Sequence, residues 1–160
     1  MSEMNAKPET EQQQTSVSIK KIYLKDTSFE TPNTPQIFTE EFQPEVSVHL
    51  QNTATSIAEQ IFEVVLNITI TTKIKDKTAY LIEVQQAGLF EIQGMSKETL
   101  PRFLGTYCPH MLFPYLRQTI DDMLMKGGFP AFLLTPVDFD VIYEEQLQQQ
   151  QQNSGAEARH

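Results

Sequence analysis

The chain has 160 residues, a formal net charge of −9, a pI of about 4.7 and a single cysteine. That length suffices for one domain with its own core, and one cysteine excludes an internal disulfide and fits a reducing compartment. Lys and Arg are scattered apart from Lys20-Lys21, which argues against a nucleic-acid partner, and no apolar run approaches the roughly 18 residues of a membrane span.

Residues 1–16 are polar with no apolar stretch, so neither a secretory signal nor an ordered element is expected there, and the chain reads as cytoplasmic. The first strand is predicted from Val17 to about Asp26. Its apolar residues change parity between Val17/Ile19 and Ile22/Leu24, which implies a bulge or two covered faces. The connection Thr27–Pro44 holds three prolines, Phe29, Phe38 and Phe42. Phenylalanines gain nothing in a solvated loop, so this crossover reads as functional. A second strand, Glu45–Leu50, alternates through Val46, Val48 and Leu50. The third places Phe62, Val64, Leu66, Ile68 and Ile70 on one face, and a turn over Lys73–Lys77 leads into a fourth. There Tyr80, Ile82, Val84 and Gln86 share one face and Leu81, Glu83 and Gln85 the other.

Helical spacing begins after Ser96, a suitable N-cap. Pro109 is expected to end a first helix and Pro114 to open a second, which Gly127-Gly128 terminates. The joint between them, with two tyrosines, a phenylalanine and the only cysteine, reads as a device for placing aromatic rings. A last helix is predicted from about Asp138 to Gln149, and residues 150–160, which begin within the glutamine run Gln148–Gln152, form a second disordered tail. Strands followed by helices give an α+β domain over residues 17–149: a four-stranded antiparallel sheet with a long crossover loop, then helices packed on one face.

Catalytic signatures are missing from the sequence. There is no GxxxxGK[ST], GxGxxG, HExxH or GxSxG string, and one cysteine cannot build a CxxC metal site, so no cofactor and no metal are expected. Cys108 and His110 flank a proline with no third orienting group, and a lone cysteine is most often an inert buried residue. His49 reads as a surface residue. The chain reads as a non-enzyme.

Several strings together resemble the SecB family of bacterial protein-export chaperones over about Ile19–Leu147. They are Tyr23-Leu-Lys-Asp-Thr-Ser-Phe-Glu30, Phe42-Gln-Pro-Glu-Val46, Glu83-Val-Gln-Gln-Ala-Gly-Leu-Phe90, Gly105-Thr-Tyr-Cys-Pro-His-Met-Leu-Phe-Pro-Tyr-Leu-Arg117 and Pro136-Val-Asp-Phe-Asp140. The resemblance implies an ATP-independent chaperone that holds unfolded preproteins and passes them to the SecA translocase motor. It also implies a homotetramer, a dimer of dimers with helices sandwiched between sheets.

Carried onto this sequence, the resemblance assigns Asp26, Glu30, Leu81 and Glu83 to translocase binding and Ile82, Val84 and Gln86 to the subunit contacts. It gives the client groove as Phe38, Phe42, Val46, Val48, Leu50, Tyr143 and Leu147. Many relatives carry tryptophan where Phe42 stands, and this chain has none. A rival reading is a chaperone of the same fold dedicated to one partner, such as a toxin–antitoxin component.

Overall fold

A computed structural model describes residues 14–157. In chain order the elements are β1 (Ser16–Glu30), a 3-10 turn (Gln36–Thr39), β2 (Glu45–Ala58), β3 (Ile61–Ile74), β4 (Lys77–Gln93), α1 (Leu100–Gly127) and α2 (Phe139–Glu157). The strands form one antiparallel sheet in the order β1-β4-β3-β2. The crossover after β1 therefore spans the sheet from edge to edge, and β2, β3 and β4 follow as a meander.

Cross-strand partners point the same way, so the register defines the two faces. Val64, Leu66, Ile68 and Ile70 of β3 and Tyr80, Ile82, Val84 and Phe90 of β4 are buried on one of them. Leu104, Cys108, Leu112, Leu116, Ile120 and Leu124 of α1 bury against that face at helical spacing.

The parity change in β1 is resolved by two bulges. The β1–β4 register skips Lys20 and Lys25, and each extra residue resets the alternation. Val17, Ile19, Ile22, Leu24 and Phe29 therefore all point to the α1 side, opposite Ile92, Phe90, Gly88, Gln86 and Ile82 respectively. Both skipped lysines pair with glutamates, Lys20 with Glu91 and Lys25 with Glu63, at 2.9 and 2.8 Å. The Tyr23 hydroxyl donates to the second oxygen of Glu63.

Four expectations are corrected. β1 continues to Glu30, so Phe29 belongs to the strand and only residues 31–44 cross over. β2 runs to Ala58, because pairing with β3 carries the polar stretch after Leu50 along as strand.

Pro109 and Pro114 lie inside one 28-residue helix. Each deletes one backbone bond, to the carbonyls of Gly105 and His110, yet eight residues on the buried side hold the helix together across them. α2 passes through the glutamine run, whose residues are good helix formers, to Glu157, and every residue from Gln148 to Glu157 is exposed. Residues 1–13 and 158–160 of the expected tails lie outside the described residues.

At the β3–β4 turn, Lys75 and Asp76 have φ of 48° and 64°, the paired left-handed conformation of a tight hairpin. Ser96 shapes the turn before α1, its hydroxyl accepting at 3.2 Å from the N–H of Thr99, which is the N-cap residue in place of the expected Ser96. Asp138 caps α2, accepting from the N–H groups of Asp140 and Val141.

The hydrogen bond from Lys25, and then that from Tyr23, hold the Glu63 carboxyl below its ordinary range, while burial and then the Glu63 bond push Tyr23 up to about 12. A depressed acid stabilises the fold above its unfolded value and loses that contribution as pH falls through its folded value. Urea unfolding of wild type and Glu63→Gln should therefore differ fully above about pH 4.3 and converge as pH falls further. A difference that persists unchanged in strong acid would show that the carboxylate does not pin β1.

Candidate functional site

Two surfaces stand out, one on each face of the sheet. On the α1 side, the left-handed Gly128 (φ 80°) ends α1 and returns the Phe129 N–H to the Leu124 carbonyl at 3.0 Å. This seats Phe129 against Tyr80 and Phe38, with ring centroids 5.0 and 5.1 Å apart. Phe29 adds a fourth ring, 6.4 Å from Phe129. Phe38 is the outermost of the four and stays 50% exposed; Phe42, three residues before β2, is 40% exposed.

Val46 lies in the same cross-strand row as Thr72 and Tyr80, and Val48 opposite Ile70, both on the α1 side. A strand residue on that side normally lies under the helix. Val46 and Val48 instead remain 37% and 43% exposed, and Leu50 is half-buried. α1 meets β2 farther along, where the Asn52 amide donates to the Leu104 carbonyl at 3.1 Å.

Tyr143 and Leu147, half-buried on α2, belong to the other end of this surface. The Tyr143 ring fills the space a Cβ on Gly105 would take, 2.6 Å away. Arg102 lies 5.0 Å over that ring and binds Asp140 and Glu144, two acids one turn apart. The 22 residue steps from Gly105 to Gly127 span about 33 Å of helix. Phe38 and Val46 thus lie toward the C-terminal end of α1 and Tyr143 near its N-terminal end, with Val48 and Leu50 on the stretch of β2 that leads to Asn52 beside Leu104.

On the open face, Glu30 is directly opposite Leu81, Ser28 opposite Glu83, and Asp26 opposite Gln85. Asp26, Glu30, Leu81 and Glu83 therefore share one end of one face, on adjacent strands. Asp26, Glu30 and Glu83 are exposed and make no ion pair among the described residues, whereas Glu40, Glu63 and Glu91 each hold a lysine. Gln51, Asn67 and Thr69 continue a shallow polar depression beside Asp26 and Glu83.

Ile82, Val84 and Gln86 point the opposite way and are buried beneath the chain's own α1. Gln86 donates to the Tyr23 carbonyl at 3.1 Å and accepts from the Thr119 hydroxyl at 3.4 Å. They carry the helix, so the residues expected at the subunit contacts are covered by the chain's own α1. The outward side of α1 presents Tyr107, Tyr115 and Met125, all well exposed, with Tyr107 stacked on Phe103 at 4.6 Å. Tyr107 and Tyr115 are the two tyrosines of the joint around Pro109; that they lie with Met125 on the outside of one helix was not readable, because a helix broken at Pro109 has no continuous outer face. The Arg102 clamp had one signal, the i, i+4 spacing of Asp140 and Glu144.

Cys108 is fully buried, and burial pushes its thiol up to about 12, so it stays protonated; His110 is exposed. They make no nucleophile–base pair. Among the described residues no cluster of three His, Cys, Asp or Glu could hold a metal, and no helix is long and apolar enough to cross a membrane.

The family model described as preprotein translocase subunit SecB matches residues 10–150. Protein-export protein SecB of Nitrosococcus oceani is 50% identical over 150 residues, 92% of either chain. The same-named proteins of Methylococcus capsulatus and Hahella chejuensis are 46% and 49% identical, over 96% and 89% of this chain and 96% and 92% of theirs. Among solved structures, the Mycobacterium tuberculosis SecB-like chaperone Rv1957, in complex with a ChAD peptide from the HigA1 antitoxin, superposes with a TM-score of 0.64. It is 16% identical and covers 76% of this chain and 91% of that one, a likeness of fold.

Alanine in place of a helical glycine ordinarily stabilises by about 1 kcal/mol. Gly105→Ala should do the reverse here, since its Cβ displaces Tyr143. Hydrogen exchange across Phe139–Leu147 should speed up in this variant, and unchanged protection would remove Gly105 from the seat of α2.

Proposed function

The chain belongs to the SecB family, and we propose that it is an ATP-independent holdase that keeps preproteins unfolded for export and delivers them to the SecA translocase motor. The observation that carries this reading is the bare apolar stripe Val46–Val48 flanked by the half-exposed Phe38 and Phe42. Burying one large apolar side chain contributes about 1.5–3 kcal/mol, short of the roughly 8 kcal/mol of micromolar affinity, so several client residues must bind together. A surface about 33 Å long accepts about ten residues of extended chain. Folded proteins hide such side chains, so a surface of this kind selects unfolded polypeptide without reading a sequence. Passive rebinding needs no nucleotide, and no catalytic role is assigned to any residue.

Phe38, Phe42, Val46, Val48, Leu50, Tyr143 and Leu147 form the proposed client surface. Asp26, Glu30, Leu81 and Glu83 form the translocase surface, where unpaired acids beside one leucine suit a basic, partly apolar segment. We place the chain in the cytoplasm as a homotetramer, a dimer of dimers. Supporting this are the aromatic outer side of α1, supported from beneath by Ile82, Val84 and Gln86, and the 15-residue edge strand β1 with Val17, Ile19 and Leu24 exposed. Long edges and aromatic helix faces are what symmetric contacts cover. The named relatives favour export over a chaperone dedicated to one partner, as both would use the same surface.

Phe38→Ala with Phe42→Ala should shorten client retention at least about tenfold, the effect of losing roughly 1.4 kcal/mol or more, in an otherwise intact assembly. Unchanged dissociation would remove the crossover from the client surface, and protection of only one among several unrelated clients would favour the dedicated chaperone. Asp26→Lys with Glu83→Lys should abolish SecA binding in titration calorimetry while client holding persists. Retained SecA binding would exclude the acidic patch.

A further inference from the structure

The two long edges of the sheet are built differently. β1 breaks register twice, at Lys20 and Lys25, and carries Lys20, Lys21 and Lys25 along its length. Bulges and lysines are devices that guard an edge against unrelated strands. β2 forms the other edge. From Glu45 to Ala58 it holds no proline, lysine or arginine, and its register with β3 runs unbroken from Glu45 to Ser56.

Alternate residues of an edge strand turn their N–H and C=O groups away from the neighbouring strand. Among the described residues, no other segment pairs with that outer row of β2 from Glu45 to Ser56. The 11 residue steps between them span about 37 Å of edge. The side chains along it change character halfway. Val46, Val48 and Leu50 point to the α1 side and supply the apolar stripe. Gln51–Ser56 has no large apolar side chain, yet it stays in strand, so along this half the backbone is the feature left to hold a second chain.

An extended, unfolded segment meets both halves. Its backbone supplies partners along the whole edge, and its alternate side chains fall on Val46 and Val48 with the same period of two. A folded protein has its backbone groups already paired. We propose that β2 is an open strand template: a client lies along its outer edge as a fifth strand, held by main-chain hydrogen bonds between Glu45 and Ser56, with apolar residues on Val46 and Val48. This deepens the holdase reading and rests on it. Backbone groups are alike in every sequence, so such pairing adds affinity without choosing among clients, and a client that shifts by two residues keeps its facing. Proline, which has no N–H, is what such an edge rejects.

The test uses the full-length protein and a fluorescein-labelled decapeptide of alternating leucine and serine, read by anisotropy. Four N-methyl groups are placed on leucines only, on serines only, or on four consecutive residues. The first two patterns block one edge of the extended peptide and leave the other bare; the third blocks both. At least one of the first two peptides should bind within about threefold of the unmodified one, and the third at least about tenfold more weakly. A third peptide no weaker than both others overturns main-chain pairing, because N-methylation leaves every side chain in place. Hydrogen exchange across Val46–Ser56 reads the same edge from the protein. Alternate amides should exchange fast without client and at least about tenfold more slowly with the unmodified peptide bound. Unchanged exchange overturns the proposal. Protection of that set without any client also overturns it and assigns the edge to a second copy of the chain. A peptide that fails to bind while reduced, S-carboxymethylated α-lactalbumin binds would count equally against pairing. If neither binds, the holdase reading itself fails, and the strand template with it.

Discussion

One helix is too narrow for the sheet it covers. An α-helix with its side chains is about 10–12 Å across, whereas four strands at about 4.8 Å spacing, with the side chains of the outer pair, are wider. α1 therefore buries the central strands β3 and β4 and leaves apolar residues of both edges in solvent: Val46 and Val48 on β2, Val17, Ile19 and Leu24 on β1. A domain that needed only stability would narrow the sheet or add a helix. In the proposed holdase the uncovered width on the β2 side is the working surface.

The two ends of α1 are built to keep that surface open. At the C-terminal end, Gly128 turns the chain so that Phe129 closes the helix and receives Phe38 from outside. Gly127 has no room for a side chain because the Phe29 ring lies 2.4 Å from where its Cβ would be. At the other end, Gly105 admits Tyr143, and Arg102 holds two acids of α2. Aromatic rings thus border a long apolar face at both ends without filling its middle. The opposite face of the same strands is largely polar, with unpaired acids at one end, so the two faces of one sheet differ in chemistry.

Much of this was legible in particular residues. The alternation from Phe62 to Ile70 defined β3 and its buried face directly, and the fourth strand's two parities separated the helix side from the patch side. The parity change in β1 announced a bulge; that there are two, each at a lysine paired with a glutamate, depends on strands 38 and 71 residues away in sequence and leaves no local mark. Residues after Leu50 carry no apolar alternation and are strand through their pairing with β3, so β2 was read short. Pro109 and Pro114 misled for the opposite reason: proline acts locally, whereas burial of Leu104, Cys108, Leu112 and Leu116 is tertiary and outweighs two lost bonds. The patch and groove residues came from family resemblance; the strand register puts the patch residues on one face, and the groove residues are spread along α1 from Phe38 to Tyr143.

The most direct test of the bare edge exploits two adjacent residues that face opposite ways. A photoreactive benzoylphenylalanine is placed at Val48, on the α1 side of β2, or at His49, on the open side, and irradiated in the presence of an unfolded client. Abundant crosslinks from Val48 with few from His49 are the expected result. Equal labelling from both positions, or labelling from His49 alone, would contradict the account.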